Sequence, residues 1–101
     1  MRMLVQIKLP AEPFNSAVRD GSAGAKMRRI LEDLKPEAAY FTAMDGHRGG
    51  ILIIDLPDAS KIPTIAEPWF LNFHATCHFA PVMTPEDLGK AGLEALGKKW
   101  G

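Results

Sequence analysis

The segment from Phe73 to Met83 gathers the side chains best suited to chemistry, with His74, Cys77 and His78 inside Phe73-His74-Ala75-Thr76-Cys77-His78-Phe79-Ala80-Pro81-Val82-Met83. Histidine titrates near neutral pH and serves as a general acid or base. Cysteine as its thiolate is a nucleophile or a metal ligand. Read as an extended strand, the segment puts Phe73, Ala75, Cys77 and Phe79 on one face and His74, Thr76, His78 and Ala80 on the other. That separation decides between metal and acid–base chemistry. On a strand rising about 3.3 Å per residue, His74 and His78 stand about 13 Å apart, and Cys77 points away from both. One zinc ion needs its ligands within about 2.0–2.3 Å, so no metal site is expected here. The expected roles are an acid–base histidine, His74 or His78, and an inert core thiol at Cys77.

The same alternation elsewhere brings further polar groups to that face. Met3, Val5, Ile7 and Leu9 alternate with Gln6 and Lys8, and Tyr40 and Thr42 alternate with Ala39, Phe41 and Ala43. With Thr76, these make a candidate pocket wall of Gln6, Lys8, Tyr40, Thr42, Thr76 and the two histidines, Tyr40 orienting a ligand. A half-exposed antiparallel sheet shows the same alternation without any ligand. His47 sits in Asp45-Gly46-His47-Arg48-Gly49-Gly50, either as a solvated turn residue or as a gate at the pocket mouth. This glycine-rich stretch joins two strands and lacks a following helix N-terminus, so it is not a phosphate loop. Trp69 either wedges a helix against the sheet or lines a ligand cavity.

Composition narrows the function classes. The chain of 101 residues suits one domain, spanning 1–101. Its 12 basic and 12 acidic residues cancel, and only Lys26, Arg28 and Arg29 cluster, so no nucleic-acid footprint is expected. The single cysteine excludes an internal disulfide. No apolar run approaches the ~20 residues of a membrane span, and Met1 to Lys8 turns polar too soon for a signal peptide. A cytoplasmic, soluble protein without a cofactor is the expectation.

The elements that must position these groups follow from periodicity. Met3 to Leu9 reads as a strand ended by Pro10 and Pro13. Phe14 to Leu34 turns helical, with Gly21 and Gly24 as a soft centre or a break. Ala38 to Met44 is a second strand, Asp45 to Gly50 a turn, and Ile51 to Leu56 an apolar third strand. A second helix carries Ile62, Ile65, Ala66 and Trp69, has Pro63 in its first turn and is ended or kinked by Pro68. The strand from Phe73 follows. Thr84-Pro85-Glu86-Asp87 then starts a tail helix with Thr84 as cap. Strand, helix, strand, strand, helix, strand is the ferredoxin-like α+β arrangement, a four-stranded antiparallel sheet with helices on one face. Its other face is bare, and soluble monomers rarely expose several hundred Å² of partly apolar sheet.

Three phrases carry a resemblance: Arg48-Gly49-Gly50-Ile51-Leu52-Ile53-Ile54-Asp55, Glu67-Pro68-Trp69-Phe70, and Ala80-Pro81-Val82-Met83-Thr84-Pro85-Glu86-Asp87-Leu88. With the element order, they resemble the dimeric α+β barrel superfamily, and within it a bacterial subgroup whose second helix ends in Pro-Trp. Muconolactone isomerases and cofactor-independent monooxygenases are more distantly similar. The resemblance implies a homodimer whose two sheets pack open face to open face as a barrel. It implies no catalytic residue. Two functions therefore stand side by side. One is a metal-free enzyme performing proton transfer, isomerisation or cofactor-free oxygenation of a small cyclic or aromatic compound in a pocket on the open sheet face. The other is a noncatalytic ligand-binding or dimer-assembly module.

Overall fold

Burial on the first strand sorts the sheet's two faces. A computed structural model describes residues 1–101. In β1 (Arg2–Leu9), Met3, Val5, Ile7 and Leu9 are buried, while Gln6 is exposed and Leu4 and Lys8 are partly so. The strand was legible because its apolar residues fall at period two. Next come helices α1 (Ala11–Arg19) and α2 (Ala23–Leu34). They are separate helices rather than one, because Gly21 takes φ +82° and turns the chain between them.

β2 (Ala38–Met44) has the bounds expected from the sequence. β3 (His47–Asp55) starts four residues earlier than its apolar run suggests. Only Asp45 and Gly46 make the turn, both at positive φ (50° and 75°), which suits the two-residue hairpin that matches strand twist. His47 therefore lies on a strand, not on a long loop. Gly49 and Gly50 sit inside β3 because cross-strand neighbours occupy the space above them. A Cβ on Gly49 would meet Met44 Cγ at 2.6 Å, and one on Gly50 would meet Phe41 Cε1 at 3.3 Å.

A turn of 3₁₀ helix (Ala59–Lys61), capped by Asp58, leads into α3 (Ile62–Phe73). Pro68 lies inside α3 and does not end it. A helix-interior proline costs about 3 kcal/mol. Against that, Trp69 and Phe73 are both fully buried beyond it, and each such side chain contributes about 1.5–3 kcal/mol. Continuing the helix wins. Asn72 Nδ2 also donates to the Pro68 carbonyl at 2.8 Å. Phe73 thus belongs to α3 with Ile65 and Trp69 at four-residue spacing. His74 is the C-cap, in the left-handed conformation at φ 53° and ψ 33°, and β4 begins only at Thr76 (Thr76–Pro81).

All pairings are antiparallel and the sheet order is β2-β3-β1-β4. Ile30, Ile65, Trp69 and Phe73 from the helices join Met3, Val5, Ile7, Leu9, Leu52 and Ile54 in one core, so the helices cover one face. This is the ferredoxin-like α+β fold. No helix is long and apolar enough to cross a membrane.

The tail departs from that body. α4 (Pro85–Gly89) and α5 (Leu93–Trp100) bury no residue. The molecule measures 60 × 28 × 20 Å with a radius of gyration of 17.1 Å, whereas a compact domain of this length has about 13 Å. Leu93 and Trp100 are 59% and 77% exposed.

The start of α4 was legible in detail. Thr84 Oγ1 accepts from the Asp87 N–H and Asp87 Oδ2 accepts from the Thr84 N–H, both at 3.1 Å. These bonds, with a smaller contribution from Arg2, lower the Asp87 pKa below its ordinary 3.8. A depressed carboxyl pKa contributes stability above the unfolded value and loses it as pH falls through the folded one. Backbone chemical shifts of Pro85–Gly89 should stay helical down to about pH 4 and drift toward coil below it. Thr84→Ala should produce the same fraying at neutral pH, because a lost cap costs about 0.5–2 kcal/mol.

Candidate functional site

Strand register places most of the expected pocket residues on the open face. Tyr40, Ile51, Gln6 and His78 form one row across the four strands, and Thr42, Gly49, Lys8 and Thr76 form the next. Ala38, Ile53, Leu4 and Ala80 make a third row. The face therefore grades from an apolar row at Leu4 and Ile53, through a mixed row at Ile51 and Gln6, to a polar row at Lys8 and Thr76. Tyr40 is 66% exposed. It stands three strand spacings from His78, about 14 Å. One small ring cannot touch both side chains at once.

His74 is not part of this arrangement. Because α3 runs to Phe73, His74 occupies the turn between α3 and β4, where its backbone N–H donates to the Phe70 carbonyl at 2.9 Å. The expected pair of strand histidines reduces to His78 alone. His47 lies on the open side at the hairpin end, its Nδ1–H donating to the Asp45 carbonyl at 3.0 Å. Lys8 Nζ pairs with Asp45 Oδ2 at 3.4 Å, both groups well exposed, so the pair adds little stability. Trp69 is fully buried in the core between helix and sheet.

Cys77 lies opposite Ile7 on the helix side and is partly buried. Burial pushes its thiol up to about 11 from an ordinary 9.0. A rise of about two units lowers the thiolate fraction roughly a hundredfold near neutral pH. Iodoacetamide should alkylate folded protein about a hundred times more slowly than urea-unfolded protein at pH 8. Equal rates would mean an accessible thiol. No three His, Cys, Asp or Glu side chains come together in a position to hold a metal ion.

Three main clefts lie on the body, and none of the three has a histidine on its wall. The largest, about 770 Å³, runs between α2 and α3 past Arg29, Asp33, Glu67 and Leu71. A second, of about 340 Å³, lies between Arg2, Glu37 and Asp55, where Arg2 and Glu37 form a two-pronged ion pair with Nη2–Oε1 at 2.9 Å. The third, about 300 Å³, opens on the helix side of the sheet between α1, α2 and the β2–β3 hairpin. Leu9, Phe14, Met27 and Phe41 wall it, and Arg48 stands at its edge. Arg48 Nη1 donates to Asn15 Oδ1 at 2.7 Å, and its guanidinium lies 4.7 Å from the centroid of the Phe14 ring. Sequence periodicity did not single out these residues. The available signal was Phe41, an aromatic that pairs with Gly50 of the neighbouring strand.

This sheet order and helix placement define a ferredoxin-like α+β protein. Among solved structures, the chain is similar to 5-chloro-2-hydroxyhydroquinone dehydrochlorinase (TftG) from Burkholderia phenoliruptrix AC1100, determined in complex with 2,5-dihydroxybenzoquinone. The TM-score is 0.63 and the identity 16%, over 85% of this chain and 97% of that one. It is also similar, at a TM-score of 0.47 and 9% identity over 80% and 85% of the two chains, to the de novo designed protein Ferredog-Diesel. No protein-family model matches the sequence, and no curated protein does. At 16% identity the first likeness concerns the fold alone.

Proposed function

We propose that the chain is the subunit of a homodimer in which two open sheet faces pack together, and that the dimer binds or transforms a small cyclic or aromatic molecule. The supporting observation is the uncovered face: Leu4, Ile51, Ile53 and Tyr40 lie on it with no element of the chain above them. The extended tail, with Leu93, Leu96 and Trp100 exposed, adds more apolar surface than one copy of the chain can cover. An isolated helix of fewer than about 12 residues is marginal in water, so the eight residues of α5 need a surface to rest on. A partner subunit supplies one.

Within such a dimer, Gln6, Tyr40, Thr42, Thr76 and His78 face the space between the sheets. His78 is the acid–base group of the enzymatic reading, and its cross-strand neighbour Gln6 orients the ring. The dehydrochlorinase of similar fold was determined with a quinone, which sets the probe for this chain. The noncatalytic reading has its own support, because Tyr40 and His78 stand far apart and no histidine borders any of the three main clefts. Titration of ¹⁵N-labelled protein with 2,5-dihydroxybenzoquinone separates the two. Saturable shifts at Gln6 and His78, lost in His78→Ala, are expected of a ligand pocket. Shifts nowhere on that face would assign the row to the subunit interface alone.

A further inference from the structure

The cleft between α1, α2 and the β2–β3 hairpin lies on the opposite side of the sheet from the proposed interface, and it is complete within one chain. Its walls are apolar: Leu9, Phe14, Met27 and Phe41. Phe14 is held in place by Phe73, with ring centroids 4.9 Å apart, and Phe73 is itself fully buried. Phe41 is different. It points to the helix side yet is 52% exposed, an aromatic surface with nothing stacked on it. Gly50 keeps that surface in place, since a Cβ there would come within 3.3 Å of the Phe41 ring.

One cation serves this apolar cleft. Five ion pairs form in the molecule: Met1–Asp55, Arg2–Glu37, Lys8–Asp45, Arg19–Glu12 and Lys98–Glu94. Arg48 belongs to none of them. Its guanidinium is oriented from two directions, by the bond to Asn15 and by stacking on Phe14. That leaves Nε and Nη2 without a partner in the chain. A planar fork fixed in this way matches a carboxylate through two parallel hydrogen bonds. A volume of about 300 Å³ is at the small end of ligand pockets. It suits one or two fused rings.

We propose that this cleft is a binding site for a small planar aromatic carboxylate. The ring lies on Phe41 against Leu9, Met27 and the edge of Phe14, and the carboxylate accepts from the free edge of Arg48. The aromatic walls select flat rings, and the guanidinium selects the anion.

The probe is 2-naphthoate, with 2-naphthamide as its uncharged counterpart, titrated into ¹⁵N-labelled protein and measured in parallel by calorimetry. One site per chain is expected, with saturable shifts at Phe14, Met27, Phe41 and Arg48, and at least tenfold weaker binding of the amide. Arg48→Gln should weaken the naphthoate by at least tenfold while leaving the amide unchanged. Phe41→Ala should weaken both probes. Equal affinity for acid and amide on wild-type protein overturns the proposal whether or not any variant folds. So does the absence of binding at millimolar naphthoate, or shifts confined to Gln6, Tyr40 and His78. The site does not depend on the dimer, so a monomeric Ile51→Lys variant should bind naphthoate as the wild type does. Loss of binding in that variant while it remains folded would place the site at the interface and overturn the assignment.

Discussion

Trp69→Ala is expected to remove most of the chain's stability. Trp69 lies in the middle of α3 with no exposed surface, packed in the same core as Val5, Ile7 and Leu52. Its ring centroid is 6.4 Å from that of Phe73. Deleting a buried tryptophan side chain costs about 3–5 kcal/mol in lost transfer energy and residual cavity. Whole domains are stable by only about 5–15 kcal/mol. It is also the contact that holds α3 helical across Pro68, so its loss acts on the backbone as well. Urea denaturation followed by circular dichroism, at one fixed protein concentration, should show the midpoint collapse toward zero. A loss below about 1 kcal/mol would contradict the role assigned to this side chain. Trp69→Phe supplies a sharper comparison. The indole Nε1 is buried without a hydrogen-bond partner, and such a group costs about 1–3 kcal/mol. Phenylalanine loses ring volume but also removes the unpaired donor. It should keep the fold and cost far less than alanine.

Ile51→Lys is expected to convert a dimer into a folded monomer. Ile51 sits between Tyr40 and Gln6 in the central row of the open face, on β3. Its side chain points away from Leu52 and the core, so the substitution leaves the subunit's own packing intact. In a face-to-face dimer it would bury an unpaired ammonium from each copy, and an uncompensated buried charge costs several kcal/mol. Dissociation should strengthen by at least about a thousandfold, since each 1.4 kcal/mol is a factor of ten. Sedimentation equilibrium at micromolar concentration should give twice the chain mass for wild type and the chain mass for the variant, with matching far-ultraviolet spectra. A wild-type monomer would sink the homodimer outright. A variant that remains dimeric would move the interface elsewhere, the exposed α4–α5 tail being the next surface to test.

Local pattern was enough for β1, β2, the place of the turn that follows β2 and the Thr84 cap, because each depends on residues close together in the chain. Period-two burial, positive φ at an Asp-Gly pair and a capping box are decided within a few residues. The order of elements, and with it the ferredoxin-like fold, followed from those local readings. Phe73 shows where this stops. It fits a four-residue spacing with Ile65 and Trp69 and a two-residue spacing with Ala75 and Cys77, so periodicity alone permits helix or strand. Only the core, in which Trp69 and Phe73 are both fully buried, selects the helix, carries it through Pro68 and leaves His74 as a cap. The feature that looked most chemical in the sequence, two histidines on one strand, was therefore dissolved by packing.

The cleft lay beyond local pattern for the same reason. Phe14, Phe41 and Arg48 come from α1, β2 and β3, and no spacing along the chain relates them. What the amino-acid order determined by itself was the set of elements, their sequence and the polar and apolar faces of each strand. What tertiary structure decided was where one element yields to the next and which distant side chains share a surface. Burial energy is summed over partners far apart in sequence, and a local window contains only one side of each such contact.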